Sequence, residues 1–205
     1  LQYISYYHPL DYIKALGEAY EREQSPAARD AIAQILTNSR MSAEGKRPIC
    51  QDTGIVTAFV KIGIEVRWGD ATMGVSDMVN EGVRRAYTNP DNLLRASVLS
   101  DPAGARKNTR DNTPAVIHYE IVPGDKVEVT VAAKGGGSEN KSKFAALNPS
   151  DSLVDWVLKT VPAMGAGWCP PGILGIGIGG TAEKAMLRAK EALMEPVDIH
   201  ELQAR

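Results

Sequence analysis

Two hydrophobic periods share this chain, and the switches between them mark its elements. "PLDYIKALGEAYERE" (residues 9–23) spaces apolar residues three and four apart, which predicts a helix. Ser25-Pro26 announces a second helix, a hydroxyl cap followed by a proline in the first turn. Its apolar face is expected to be Ala28, Ala31, Ile32, Ile35 and Leu36. "IVTAFVKIGIEV" (55–66) is β-branched and partly alternating, and reads as a strand. Ser76 is expected to cap a helix running to Tyr87, closed by "TNPDN".

"AVIHYEIVPGDKVEVTVAAKGGG" (115–137) has two alternating runs around Pro123-Gly124-Asp125. It predicts an antiparallel hairpin with Val127, Val129 and Val131 on one face. Ser150 or Asp151 is expected to start a helix that turns Leu153, Val154, Val157, Leu158 and Val161 inward. "GILGIGIGGTAEKAMLRAKEALM" reads as a strand, a glycine turn and a helix capped by Thr181. With no repeat, linker or low-complexity stretch, the pattern predicts one α/β domain over residues 1–205. Its sheet is expected to be mixed, with one antiparallel hairpin, and flanked by helices.

Composition narrows the partners. A net charge of -2, with no basic block, gives no reason to expect a nucleic-acid partner. No apolar run approaches the roughly 18 residues that span a bilayer, so no membrane partner is expected. Two cysteines, at 50 and 169, are not a disulfide framework; a reducing compartment, the cytoplasm, is the expected location. Residue 1 is Leu, in the apolar opening "LQYISYYHPLDYI", and the chain stops at "DIHELQAR". Both ends suggest a piece of something longer.

Candidate chemistry lies in five places, each with a plainer reading beside it. "KGGGSENKS" (134–142) leaves a strand and turns; its glycines let N–H groups converge into an anion nest between Lys134 and Lys141, or make a flexible loop. "GIGIGG" (175–180) matches GxGxxG through Gly175, Gly177 and Gly180, with Asp198 near the distance of a ribose-binding acid. That suggests a dinucleotide-binding oxidoreductase, against glycines that only permit tight strand–helix packing. "ARKNTRDNTP" (105–114) concentrates Arg106, Lys107 and Arg110, as a carboxylate clamp or a solvated loop. Arg95 interrupts an apolar, strand-like run, and is either structural or aimed into a cleft. Cys50 and Cys169 both sit beside glycine and proline, where a ligand would sit, although a core thiol is the commoner fate of cysteine. Neither has CxxC spacing.

Taken in order, "RPICQDTG", "KGGGSENKS" and "WCPPG…GIGGTAEKA" resemble the N-terminal region of class I fumarases. These are iron–sulfur hydro-lyases whose wider family includes the α subunit of L-tartrate dehydratase. The resemblance covers essentially the whole chain. It implies a four-iron four-sulfur (4Fe-4S) cluster held by three cysteines, with one iron open. Cys50 and Cys169 match the first two; the third lies beyond this chain, so the chain alone is expected to be metal-free and catalytically incomplete. The resemblance gives Asp52 a part in proton transfer or in orienting the acid–base group, and Gln51 a hydrogen bond to a substrate carboxylate. Arg95 would bind a carboxylate and the Gly137 backbone would contact substrate. Lys107 and Arg110 are further substrate-binding candidates. The implied reaction is hydration of fumarate to (S)-malate in the tricarboxylic acid cycle, with dehydration of tartrate as the alternative. The implied partners are a small dicarboxylate, a C-terminal domain or β subunit of the same enzyme, and a second copy in a homodimer. From outside that chemistry, the dinucleotide oxidoreductase and a non-catalytic interaction fragment remain as rivals.

Overall fold

The computed structural model of the protein describes residues 1–70 and 72–204. Helices open the chain, and each begins where local chemistry permits. Helix α1 (Gln2–Tyr6) leads into α2 (Leu10–Arg22) and then α3 (Pro26–Gly45). Ser25 caps α3 as expected, its hydroxyl accepting from the Ala28 N–H at 3.5 Å. The buried positions of α3 are Ile32, Ser39 and Ser42, whereas Ala31 is exposed. Two serines therefore replace part of the apolar stripe that periodicity suggested.

The sheet is mixed, as expected, but it is not built on a hairpin. Strand β1 (Ile55–Gly63) lies between β4 (Val116–Val122) and β5 (Val127–Lys134). It runs parallel to β4, with Thr57 opposite Val116, and antiparallel to β5, with Val60 opposite Val129. The Pro123-Gly124-Asp125 connection thus spans two strand spacings instead of closing a tight turn. Its backbone closes over the end of β1: Gly63 N–H donates to the Lys126 carbonyl at 2.8 Å, and Glu65 N–H to the Gly124 carbonyl at 2.9 Å. A Cβ on Gly63 would collide with the Gly124 carbonyl. The alternating pattern located both strands; it carried no information on what lies between them.

Val56, Ala58 and Val60 of β1 are buried. Val56 packs with Val83, Ala86 and Tyr87 of α4 (Val75–Tyr87) and with Leu94. Burying each such valine is worth about 1.5–3 kcal/mol, so this small cluster anchors everything attached to β1. Gly74, not Ser76, occupies the N-cap of α4; the Ser76 hydroxyl instead lies 2.7 Å from the Tyr119 hydroxyl on β4. A two-residue ladder, β2 (Leu99–Ser100) with β3 (Lys107–Asn108), and the helix α8 (Ile199–Ala204) complete the first compact unit. That unit comprises Leu1–Gly135 and the segment from Pro196 onward.

A second compact unit, Gly136–Glu195, holds α5 (Gly136–Glu139), α6 (Leu153–Ala163) and α7 (Ala182–Ala192), with a 3-10 turn at Gly165–Trp168. Ser152 caps α6, accepting from the Asp155 N–H at 3.2 Å, in place of Ser150 or Asp151. The inward face predicted for α6 is largely exposed. Val157 and Val161 are half-buried, but Val154 and Leu158 keep 62% and 67% of their surface. The expected strand over 173–178 joins no sheet among the described residues.

Candidate active site

The segment "CQDTG" turns the chain from α3 into β1, and short-range hydrogen bonds shape it. Cys50 is exposed and free; its thiol donates to Gln51 Oε1 at 3.1 Å, and the Asp52 N–H donates to its sulfur at 3.5 Å. Asp52 Oδ1 accepts from the Gly54 N–H at 3.1 Å, an Asx turn that presents the half-buried carboxylate beside the thiol. Gly54 is at φ +86, and a Cβ there would lie 2.6 Å from the Ala133 carbonyl carbon. Only glycine lets the turn press so closely on β5.

Beneath this exposed surface lies a buried polar layer. The Thr53 hydroxyl donates to the Arg95 carbonyl at 2.6 Å, and the Tyr87 hydroxyl donates to the Thr53 carbonyl at 2.7 Å. Burial pushes the Tyr87 phenol above its ordinary value, against the opposing effect of its bond to Thr53, so it remains a donor. Asn112 is fully buried at φ +61. Its Oδ1 accepts from the Ser97 and Val98 N–H groups at 2.8 and 3.2 Å, and its Nδ2 donates to the Gly54 carbonyl at 2.9 Å. These bonds fix the amide's orientation, because a flip would set N–H against N–H and carbonyl against carbonyl.

Arg95 therefore stands beside the cysteine turn through its backbone, with its side chain exposed. The segment 93–98 is not a strand, so the apolar run around Arg95 was misleading; those residues run in irregular backbone held by hydrogen bonds to Thr53 and Asn112. Lys107, in β3, and Arg110, at φ +69, are both exposed. Asn108 joins them to the Arg95 segment: its Nδ2 donates to the Ala96 carbonyl at 2.8 Å, and its Oδ1 accepts from the Arg110 N–H at 2.7 Å. Next to Asn112, burial alone would raise Asp111, but hydrogen bonds from Thr113 and Arg84 hold it below the usual carboxylate range. The first unit thus brings Cys50, Gln51, Asp52, Arg95, Lys107 and Arg110 onto connected loops.

Within the second unit, Gly136 and Gly137 lie in α5, so these two glycines form a turn of helix and not the open loop their composition suggested. A Cβ on Gly137 would stand 3.0 Å from the Gly167 carbonyl, and Gly167 belongs to the 3-10 turn that ends at Cys169. Cys169 is exposed, left-handed at φ +61, with its N–H bonded to the Ala166 carbonyl at 3.0 Å. Gly137 and Cys169 are therefore on packed neighbouring turns. The same unit decides between the readings of GIGIGG. A Cβ on Gly175 or Gly177 would collide with the Ala189 or Ala185 carbonyl of α7. Helix backbone fills the space a pyrophosphate would need. Gly180, at φ +75, lies in the turn that leads to α7. Asp198, the candidate ribose ligand, spends its Oδ1 on the His200 and Glu201 N–H groups.

Both thiols are exposed, outside any disulfide and outside the α-helices, which suits ligands of a thiolate-bound iron–sulfur group. Among the described residues no three His, Cys, Asp or Glu side chains gather into a metal site of their own. Each thiol by itself is the kind of donor such a group takes. Sequence reasoning missed Thr53, Tyr87 and Asn112. A short polar side chain in the turn-rich "RDNTP" was the available signal for Asn112, since asparagine tolerates left-handed backbone and bonds to nearby main chain. Nothing in the pattern marked Tyr87 beyond its place at a helix end.

The comparisons with known proteins agree in direction. The family model described as Fumarate hydratase (Fumerase) matches residues 1–205. A protein of Methanocaldococcus jannaschii, provisionally named as the α subunit of L(+)-tartrate dehydratase, is 34% identical over 93% of this chain and 68% of its own length. L(+)-tartrate dehydratase α subunits of Escherichia coli strains UTI89 and K12 are 27% and 26% identical, over 92% of this chain and 62% of theirs. The chain spans about two thirds of the length of the curated relatives it matches. On these matches, the chain belongs to the fumarate hydratase (Fumerase) family.

Proposed function

We propose that residues 1–205 are the cluster- and substrate-binding N-terminal part of a hydro-lyase that adds water reversibly to fumarate, giving (S)-malate. The observation that carries this reading is the "CQDTG" turn. It sets an exposed thiol, an amide and a carboxylate side by side, hydrogen-bonded directly to the segment that bears an exposed arginine. Cys50 and Cys169 would supply two of the three protein ligands of a 4Fe-4S cluster. When bound, such a cluster offers one iron as a Lewis acid for substrate oxygen.

The chain's own groups do the rest. A dicarboxylate brings two negative charges that must be met by cations or oriented N–H donors. The Arg95 guanidinium takes one carboxylate, and the Gln51 amide adds a hydrogen bond. Asp52 moves the proton or orients the group that does, with Oδ1 held by the Gly54 N–H so that the carboxylate keeps one direction. The Gly137 backbone meets substrate; Lys107 and Arg110 raise the positive potential on the Arg95 side. The third thiolate and the remaining substrate contacts come from a C-terminal domain or a β subunit, and a homodimer is the assembly proposed.

A second reading, the α subunit of an L-tartrate dehydratase producing oxaloacetate, is favoured by the names of the relatives. Both reactions remove or add water next to a carboxylate, so the same residues serve either. The full-length protein, reconstituted anaerobically with iron and sulfide and assayed on fumarate, malate and L-tartrate, separates them. Turnover of fumarate supports the first reading and turnover of tartrate alone supports the second. Activity on none of them, with iron bound, defeats both.

A further inference from the structure

We infer that Asn112 is the positioning residue that holds the substrate-binding Arg95 in register with the Cys50–Asp52 turn; this rests on the hydro-lyase reading above. Its side chain is a three-way joint. Oδ1 collects the N–H groups of Ser97 and Val98, just downstream of Arg95, while Nδ2 reaches the carbonyl of Gly54, just downstream of Asp52. The amide is completely buried, so no water competes for these bonds. It therefore connects the backbone behind the cation to the backbone behind the carboxylate. A second bond crosses the same gap, from the Thr53 hydroxyl to the Arg95 carbonyl, and the Tyr87 hydroxyl fixes Thr53 from below.

Two crossings make a hinge into a plate. Leu94 is packed in the core on one side of Arg95, and Asn112 is what ties residues 97–98, on the other side, to the Cys50 turn. A carboxylate clamp depends on that, because bidentate pairing is directional and a shift of about 1 Å in a positioning element costs large factors in rate or affinity. Asn112 also carries the backbone cost of φ +61, which asparagine bears better than most residues.

Two variants of the full-length protein test this. Asn112→Gly accepts the left-handed backbone and removes all three side-chain hydrogen bonds. Its KM for the turned-over dicarboxylate should rise about tenfold with kcat within about threefold, the pattern of lost uniform binding. In an Arg95→Ala background the same change should leave KM unaltered, since the residue acts through Arg95. An equal rise in both backgrounds overturns the proposal. Asn112→Asp keeps the acceptor and loses the donor to Gly54. The carboxylate keeps the Ser97 and Val98 N–H bonds, which favour its ionised form, and sets an oxygen against the Gly54 carbonyl where a donor stood. The variant's KM should therefore rise as in Asn112→Gly, although two of the three bonds remain; a wild-type KM overturns the donor assignment. Hydrogen exchange keeps the inference independent of the reaction. Asn112→Gly should lose protection in residues 52–56 and 95–99 and keep it along β1 beyond residue 57. Unchanged or global loss sinks the joint even if the protein catalyses nothing, whereas inactivity of wild type would count only against the hydro-lyase reading.

Discussion

The two cysteine turns are supported in opposite ways. Cys50 sits on a turn bonded by Thr53, Tyr87 and Asn112 into a buried layer above Val56 and Val83. Cys169 sits on a 3-10 turn in a unit whose helices bury no side chain fully. What holds that unit is close backbone packing, with Gly175 and Gly177 pressed to α7, and an ion pair of Lys190 with Glu139 at 2.7 Å. The difference teaches that a reactive thiol can be placed either by a hydrogen-bonded layer over a core or by small residues that let main chain meet main chain. The first depends on its buried polar side chains as well as on Gly54; the second depends on glycines that leave room for main chain.

That contrast can be broken, beginning with its largest consequence. Cys50→Ser or Cys169→Ser in the full-length protein should each remove cluster iron and hydro-lyase activity, despite their different surroundings. Normal iron content in either variant would strike that cysteine from the ligand set. Arg95→Ala should raise KM for the dicarboxylate by about 10–100-fold with iron content unchanged, as expected for a lost charged hydrogen bond. Identical kinetics would remove Arg95 from the site.

Stability separates the units further. Val83→Ala, in the first unit's core, should cost about 2 kcal/mol in denaturant unfolding. Leu158→Ser, on the exposed face of α6, should change stability by less than about 0.5 kcal/mol. A loss at Leu158 as large as that at Val83 would show that α6 is covered, and would end the contrast. The smallest expected effect concerns pH. Burial holds His8 below its ordinary value of 6.5, with Nδ1 2.9 Å from the Ser39 hydroxyl. Below about 6.5 the unfolded chain takes up that proton more readily than the folded one, so stability is present above that pH and falls beneath it. In His8→Gln the drop in Tm between pH 7 and pH 5.5 should be smaller than in wild type; an equal drop would clear His8 of the effect.

Much of this was legible from pattern alone. Ser25 located the start of α3, and β-branched alternation located β1, β4 and β5, because these signals are local. Pairing was not legible. β4 and β5 looked like partners since nothing local shows that a strand from sixty residues earlier lies between them. Arg95 was picked out by type, but its placement depends on Asn112, and a bond between residues so distant in sequence leaves no periodic trace. The exposed face of α6 failed in the other direction. Periodicity identifies which side of a helix is apolar, without saying what covers it.

The insertion of β1 between two consecutive strands also has a kinetic meaning. The segment 116–134 has everything a local hairpin needs, two alternating runs and a Pro-Gly-Asp turn, so it can zip together on its own early in folding. That pairing is absent from the native sheet, in which every rung of β4 and β5 is made to β1. The direct hairpin must come apart before β1 can enter, which puts a competing structure on the route to the core that supports Cys50. An isolated peptide of residues 116–134 is expected to show cross-strand contacts between β4 and β5 by NMR, and refolding of the whole chain should quicken when Gly124 is replaced by a residue that disfavours the tight turn.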